Sequence, residues 1–99
     1  MKISIDSVKF KADKRLEDFV SEKVSKLSGS YNGVISSEVT LRVDNAEDHN
    51  NKVAEIKLFI PGSDLFAKKQ SKTFEEATDQ AVDAIRKQLL KHKDKIKGN

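Results

Sequence analysis

The sequence predicts an α+β domain of order β-α-β-β-β-α, a four-stranded sheet with two helices packed on one face. Three observations carry this. Apolar residues recur at helical spacing in two places, from Leu16 to Leu27 and from Phe74 to Ile96. They alternate with period two in Val39–Val43 and Ala54–Ile60. Turn residues, Tyr31-Asn-Gly33 and Pro61-Gly62, punctuate the interval between the helices. The 99 residues, 36% hydrophobic and 35% charged, suit a single domain 1–99 with one small core.

In chain order, Ile3, Ile5, Val8 and Phe10 give an alternating start, read as a strand over 2–10 with a bulge or turn at Asp6-Ser7. Asp13 is an N-cap for a helix over about 14–28, whose stripe is Leu16, Phe19, Val20, Val24 and Leu27. Ser28-Gly29 closes it. Val39, Leu41 and Val43 share one face of a strand over about 34–45, with Arg42 and Asp44 opposite. After the polar loop Asn45–Lys52, Ala54, Ile56, Leu58 and Ile60 face the core from 52–60, alternating with Glu55, Lys57 and Phe59. Pro61-Gly62 turns the chain into a last strand at about 63–70, with Leu65 and Ala67 inward. The sheet region is expected to be antiparallel.

The last helix opens with Thr73 and Glu76, a capping box, and carries Phe74, Ala77, Ala81, Val82, Ile85, Leu89 and Ile96 as one stripe. Acids stand early (Glu75, Glu76, Asp79, Asp83) and bases late, as the helix dipole favours. From Arg86 to Lys97 there are six Lys or Arg and one acid, a charge of +5. The whole chain carries +3, so the remainder carries −2. A solvated lysine-rich tail would explain the composition alone. It would not explain why Gln88, His92 and Lys95 fall within the apolar arc, so that the stripe turns polar and basic in its final turns. Such a face suits an anionic partner, and nucleic-acid phosphates are the natural candidate. Lys23 projects within the arc of Phe19, Val20 and Leu27. Either it snorkels over the core edge, or with Lys26 it adds charge to a seam between the helices.

Other chemistry finds little footing. The chain has no cysteine, which removes disulfides, thiolate metal sites and cysteine nucleophiles. Four glycines make neither a phosphate-cradling loop nor a dinucleotide fingerprint. Glu47-Asp48-His49 are consecutive loop residues that would rarely converge on a metal. His92 stands between lysines without a nucleophile or orienting acid to work with. Phe59 and Phe66 face away from the helices, where aromatics either stack on RNA bases or pack on each other. No enzyme activity, cofactor, metal or small-molecule substrate is expected. The start lacks the apolar region of a signal peptide, and no apolar run is long enough for a membrane, so a cytoplasmic protein is expected.

Several stretches together resemble one family. Ala77-Thr-Asp-Gln-Ala-Val-Asp-Ala-Ile-Arg-Lys-Gln-Leu89, Lys91-His-Lys-Asp-Lys-Ile-Lys97 and Asp18-Phe-Val with Lys23 and Lys26-Leu27 are similar to the helix patterns of the short ribosome hibernation-promoting factors, or ribosome-associated inhibitors. The resemblance implies a fold related to double-stranded-RNA-binding domains. It implies binding to small ribosomal subunit rRNA, in the channel for messenger RNA and the A- and P-site tRNAs. Carried over by position, the RNA contacts are Lys23, Lys26, Lys87, Gln88, Lys91, His92, Lys93, Lys95 and Lys97, with Arg86 added by charge. Glu75, Thr78 and Lys69 depart from the pattern, which has Tyr, Ile and a small residue there. A ribosome-binding domain without a C-terminal dimerisation domain is expected, monomeric off the ribosome. Two other readings stand beside it: a basic-helix module for an acidic regulatory protein, and a general double-stranded RNA binder.

Overall fold

A computed structural model describes the backbone of residues 1–30, 33–44 and 49–97, and the side chains of these except 30 and 93–97. The elements are β1 (Lys2–Val8), α1 (Lys14–Ser25), a single-turn α2 (Leu27–Ser30), β2 (Ser36–Val43), β3 (Lys52–Ile60), β4 (Ser63–Ser71) and α3 (Phe74–Lys97). The strands lie side by side in chain order.

The sheet is mixed, not wholly antiparallel. β2–β3 and β3–β4 are antiparallel, whereas β1 and β2 run parallel, with Ile5 opposite Val39. The connection explains the difference: α1 carries the chain from the end of β1 back to its start, so β2 must run the same way. The edge strand is also shorter than its apolar pattern suggests. No bulge interrupts Asp6-Ser7; the register runs unbroken to Val8 opposite Arg42. Ser7 therefore takes the inward position and Val8 is exposed. Lys9 then adopts φ 67, a costly conformation for a side chain with a Cβ, and the turn brings Phe10 back against the core. Its ring stacks on Phe74 at 4.6 Å and 11°.

Asp13 caps α1 as its position implies, its carboxylate accepting from the Leu16 amide at 2.9 Å. The helix ends at Ser25, three residues short of the expected boundary. Ser25 and Ser28 donate their hydroxyls to the carbonyls of Glu22 and Ser25, at 2.8 and 2.7 Å. These local bonds compete with the helical ladder and break it, while α2 still buries Leu27 completely. The turn at Tyr31-Asn32 lies outside the described residues; Gly33 beside it has φ 108, and Gly62 of the β3–β4 hairpin has φ 78. β2 begins at Ser36, and Ile35 before it is left exposed.

Both helices cover one face of the sheet. Val39, Leu41, Ala54, Ile56, Leu58, Ile60 and Ala67 meet Val20, Val24 and Leu27 from the first helical segment and Phe74, Ala77, Ala81, Val82, Ile85 and Leu89 from α3. Thr73 opens α3, its hydroxyl accepting from the Glu76 amide at 3.1 Å. Thr78 is wholly buried, and its hydroxyl has no hydrogen-bond partner among the described residues.

Two outcomes follow from the core. Ile85→Ala is expected to lower stability by about 2–5 kcal/mol, through lost transfer energy and a cavity, and urea unfolding measures it. An unchanged midpoint would mean the wrong face of α3 has been placed inward. Thr78→Val keeps the shape and removes an unsatisfied hydroxyl, so the same measurement should show a gain of about 1 kcal/mol.

Candidate nucleic-acid interface

Leu89 is the last residue of α3 found buried, at 1% exposure, yet the backbone remains helical for eight more residues. Leu90 and Lys91 are exposed and His92 is half-buried. Among the described side chains, burial stops at Leu89, where the sequence turns polar; Ile96, the last member of the expected stripe, lies outside them. Gln88 donates its side-chain amide to the Phe66 carbonyl at 2.8 Å, tying α3 to the outer strand one residue before Leu89. Lys93, Lys95 and Lys97 belong to the helical backbone, and their side chains lie outside the described residues.

Helical spacing divides the upstream cations between two flanks of α3. Lys87 and Lys91 follow Ala84 on the side of β4, while Arg86 lies on the side that Asp79 shares with α1. Asp83 stands on the crest between them. Its carboxylate is 3.2 Å from the Lys87 ammonium and 3.9 Å from the Arg86 guanidinium.

Lys23 reaches the seam between the helices. There it meets an acid: its ammonium is 3.2 Å from Asp79 and 5.5 Å from the Phe19 ring centroid. The snorkelling stem and the seam are both present. What the spacing did not reveal is the partner. Lys26 follows at the end of α1 and is exposed. The structure thus brings Lys23 to α3 next to its acidic half, one helical turn before Asp83. The i,i+4 spacing of Asp83 and Lys87 was readable in the sequence, whereas the Lys23–Asp79 pair needs the packing of the two helices. Both pairs are part-exposed and contribute little stability.

The other face of the sheet is a different surface. Lys2, Arg42, Lys57 and Lys68 alternate in the ladders with Asp6, Glu38, Glu55 and Asp64, four of each sign. Arg42 and Glu55 form an ion pair. Phe66 is 51% exposed and opposite Lys57, whose ammonium lies 5.5 Å from the Phe59 centroid. This face is neutral, whereas the span Arg86–Lys97 of α3 carries +5. Glu47 and Asp48 lie outside the described residues, and no metal-holding group occurs among those described.

Comparisons with known proteins agree along the chain. A family described as sigma 54 modulation protein / S30EA ribosomal protein matches residues 3–97. A protein of Klebsiella oxytoca named ribosome hibernation promoting factor is 27% identical over 97 residues, covering 98% of each chain. The protein of that name from Escherichia coli strain K12 is 26% identical over 97 residues, with the same coverage. Among solved structures, a ribosomal subunit interface protein from Coxiella burnetii superposes with TM-score 0.84 at 16% identity, covering 94% of this chain and 98% of that one. The N-terminal domain of Thermus thermophilus Protein Y gives 0.78 at 22% identity, covering 89% and 94%. At these identities the superpositions establish the fold.

The Lys23 pair generates an expectation of its own. Lys23→Met keeps the stem over Phe19 and loses a part-exposed ion pair, so unfolding free energy should change by less than about 1 kcal/mol. A substantially larger loss in urea unfolding would make Lys23 a structural residue first.

Proposed function

The chain belongs to the sigma 54 modulation protein / S30EA ribosomal protein family, and on that premise we propose that it is a ribosome hibernation factor acting by occlusion. It binds the RNA of the small ribosomal subunit in the channel used by messenger RNA and the A- and P-site tRNAs, and so keeps idle ribosomes inactive. The observation that carries the interface is that α3 stays helical for eight residues past Leu89, its last described buried residue, and carries four lysines over that run. A helix already ordered by its first four turns presents those charges without further ordering cost on binding.

The contacts are Lys23, Lys26, Arg86, Lys87, Gln88, Lys91, His92, Lys93, Lys95 and Lys97. Their parts differ. Lys26 and Lys91 are exposed and offer direct phosphate contacts. Lys23, Arg86 and Lys87 each give up an acidic neighbour to reach a phosphate, which costs little because those pairs are part-exposed. Gln88 acts chiefly by fastening α3 to Phe66, which sets the angle at which the helix leaves the sheet. Binding excludes messenger and tRNA; no bond is made or broken. The cytoplasm, where ribosomes work, is the site of action. No helix among the described residues is long and apolar enough to cross a membrane.

Binding to purified small subunits tests this reading. With roughly five to eight phosphates neutralised, log affinity should fall with log salt at a slope of several units. Lys87→Glu, Lys91→Glu and Lys95→Glu, one per helical turn, should together abolish binding and release translation in a cell-free extract while the fold survives. A folded triple variant that still silences translation would sink the occlusion mechanism. Equal affinity for any long RNA duplex would favour a general duplex binder, and capture of an acidic protein without ribosomes would favour the interaction module.

A further inference from the structure

β4 carries an inward residue that does not belong in a core. Leu65, Ala67 and Ser71 point to the helices, and Lys69 shares their parity but is exposed. A hydrophobic core cannot accept its ammonium, so the side chain emerges where β4 runs beside α3. There it lines a groove of about 390 Å³ with Gln80, Asp83, Ala84 and Lys87. The floor is the small side chain of Ala84, and the walls are two lysines from different elements.

Asp83 is the single acid among these five residues, and it leans to one wall, 3.2 Å from Lys87. Lys69 has no ion pair within 4 Å in the described structure, so the groove holds one positive charge more than its internal acid balances. It is open to solvent and lies on the flank of α3 that leads to Lys91. A chain of phosphates running along that flank would cross it.

We propose that this groove between β4 and α3 seats a backbone phosphate of the bound RNA, held between Lys69 and Lys87. The proposal rests on the RNA-binding reading of α3 and extends it from the helix to the sheet, adding Lys69 as a contact. The ammonium of Lys87 turns from Asp83 to the phosphate, and Gln80 supplies an amide donor beside it. Lysine suits the task because a point charge on a long stem tracks a phosphate without fixed geometry.

Binding of the full chain to purified small subunits across a salt series tests the groove. Lys69→Ala removes an exposed side chain and leaves the core intact, which an unchanged melting curve would verify. Affinity is expected to fall about tenfold at low salt, and the log–log slope to drop by about one. The variant with Lys87, Lys91 and Lys95 reversed runs alongside. If that variant loses binding and Lys69→Ala matches the unmodified chain in affinity and slope, the groove is not a contact and the helix reading stands. If neither loses binding, both fall together. The partner is read separately: the chain has no cysteine, so Gln80→Cys gives a unique position for a photo-crosslinker. Label on ribosomal RNA supports a phosphate in the groove; label confined to a ribosomal protein overturns it.

Discussion

The apolar stripe of α3 is the constraint on which the rest of the domain depends. The sheet is narrow, one of its faces is charged, and the other must be covered by two helices from opposite ends of the chain. α1 and α2 contribute Val20, Val24 and Leu27, but α3 contributes the larger share, from Phe74 to Leu89. At 24 residues it is about 36 Å long, against roughly 30 Å for the nine-residue strands β3 and β4 beneath it. A helix longer than its bed runs on past its last core contact, and Leu90 and Lys91 beyond Leu89 are exposed. The same periodicity that closes the core therefore also decides where the exposed helical surface begins.

That geometry separates two kinds of charge. On the open sheet face, acids and bases alternate across the ladders, so neighbouring strands attract and the face as a whole has no sign. On α3 the charges are sorted along the axis instead, acids first and bases last. The acids near the start are placed to engage cations: Asp79 takes Lys23 from the other helix, and Asp83 takes Arg86 and Lys87 from the next turn. A modest net charge of +3 is thus compatible with a strongly basic end, because Arg86–Lys97 carries +5 and the rest of the chain −2.

Much of this was legible in the sequence, and the exceptions have physical causes. The element order, the inward sets of β2 and β3, and the stripe of α3 from Phe74 to Leu89 followed from periodicity; Val53, wholly buried on the other face of β3, did not, and Ile96 lies outside the described side chains. The antiparallel expectation for the whole sheet failed at β1, since residue alternation says nothing of direction and only the intervening helix does. The end of α1 was misplaced because serine hydroxyls bonding back to Glu22 and Ser25 leave no mark on the apolar pattern. At the interface, the odd placement of Lys23 signalled a role at the seam. Asp79 as its partner is a tertiary contact between residues 56 positions apart, which no local spacing encodes.

Lys69 and Thr78 belong to a further category, residues that obey the period and break the chemistry. Each occupies an inward position, and each brings a polar group there. Their outcomes diverge because of where the position lies. Thr78 sits in the second turn of α3, wholly buried, where its hydroxyl has no partner among the described residues. Lys69 sits near the margin of the sheet, where a four-carbon stem is long enough to carry its charge past the helix into solvent. An anomaly in the centre of the core lowers stability and offers nothing to a partner. One at the margin lowers stability little and places a charge beside α3's basic flank, so the second kind is where a domain this small can gain binding surface without losing its fold.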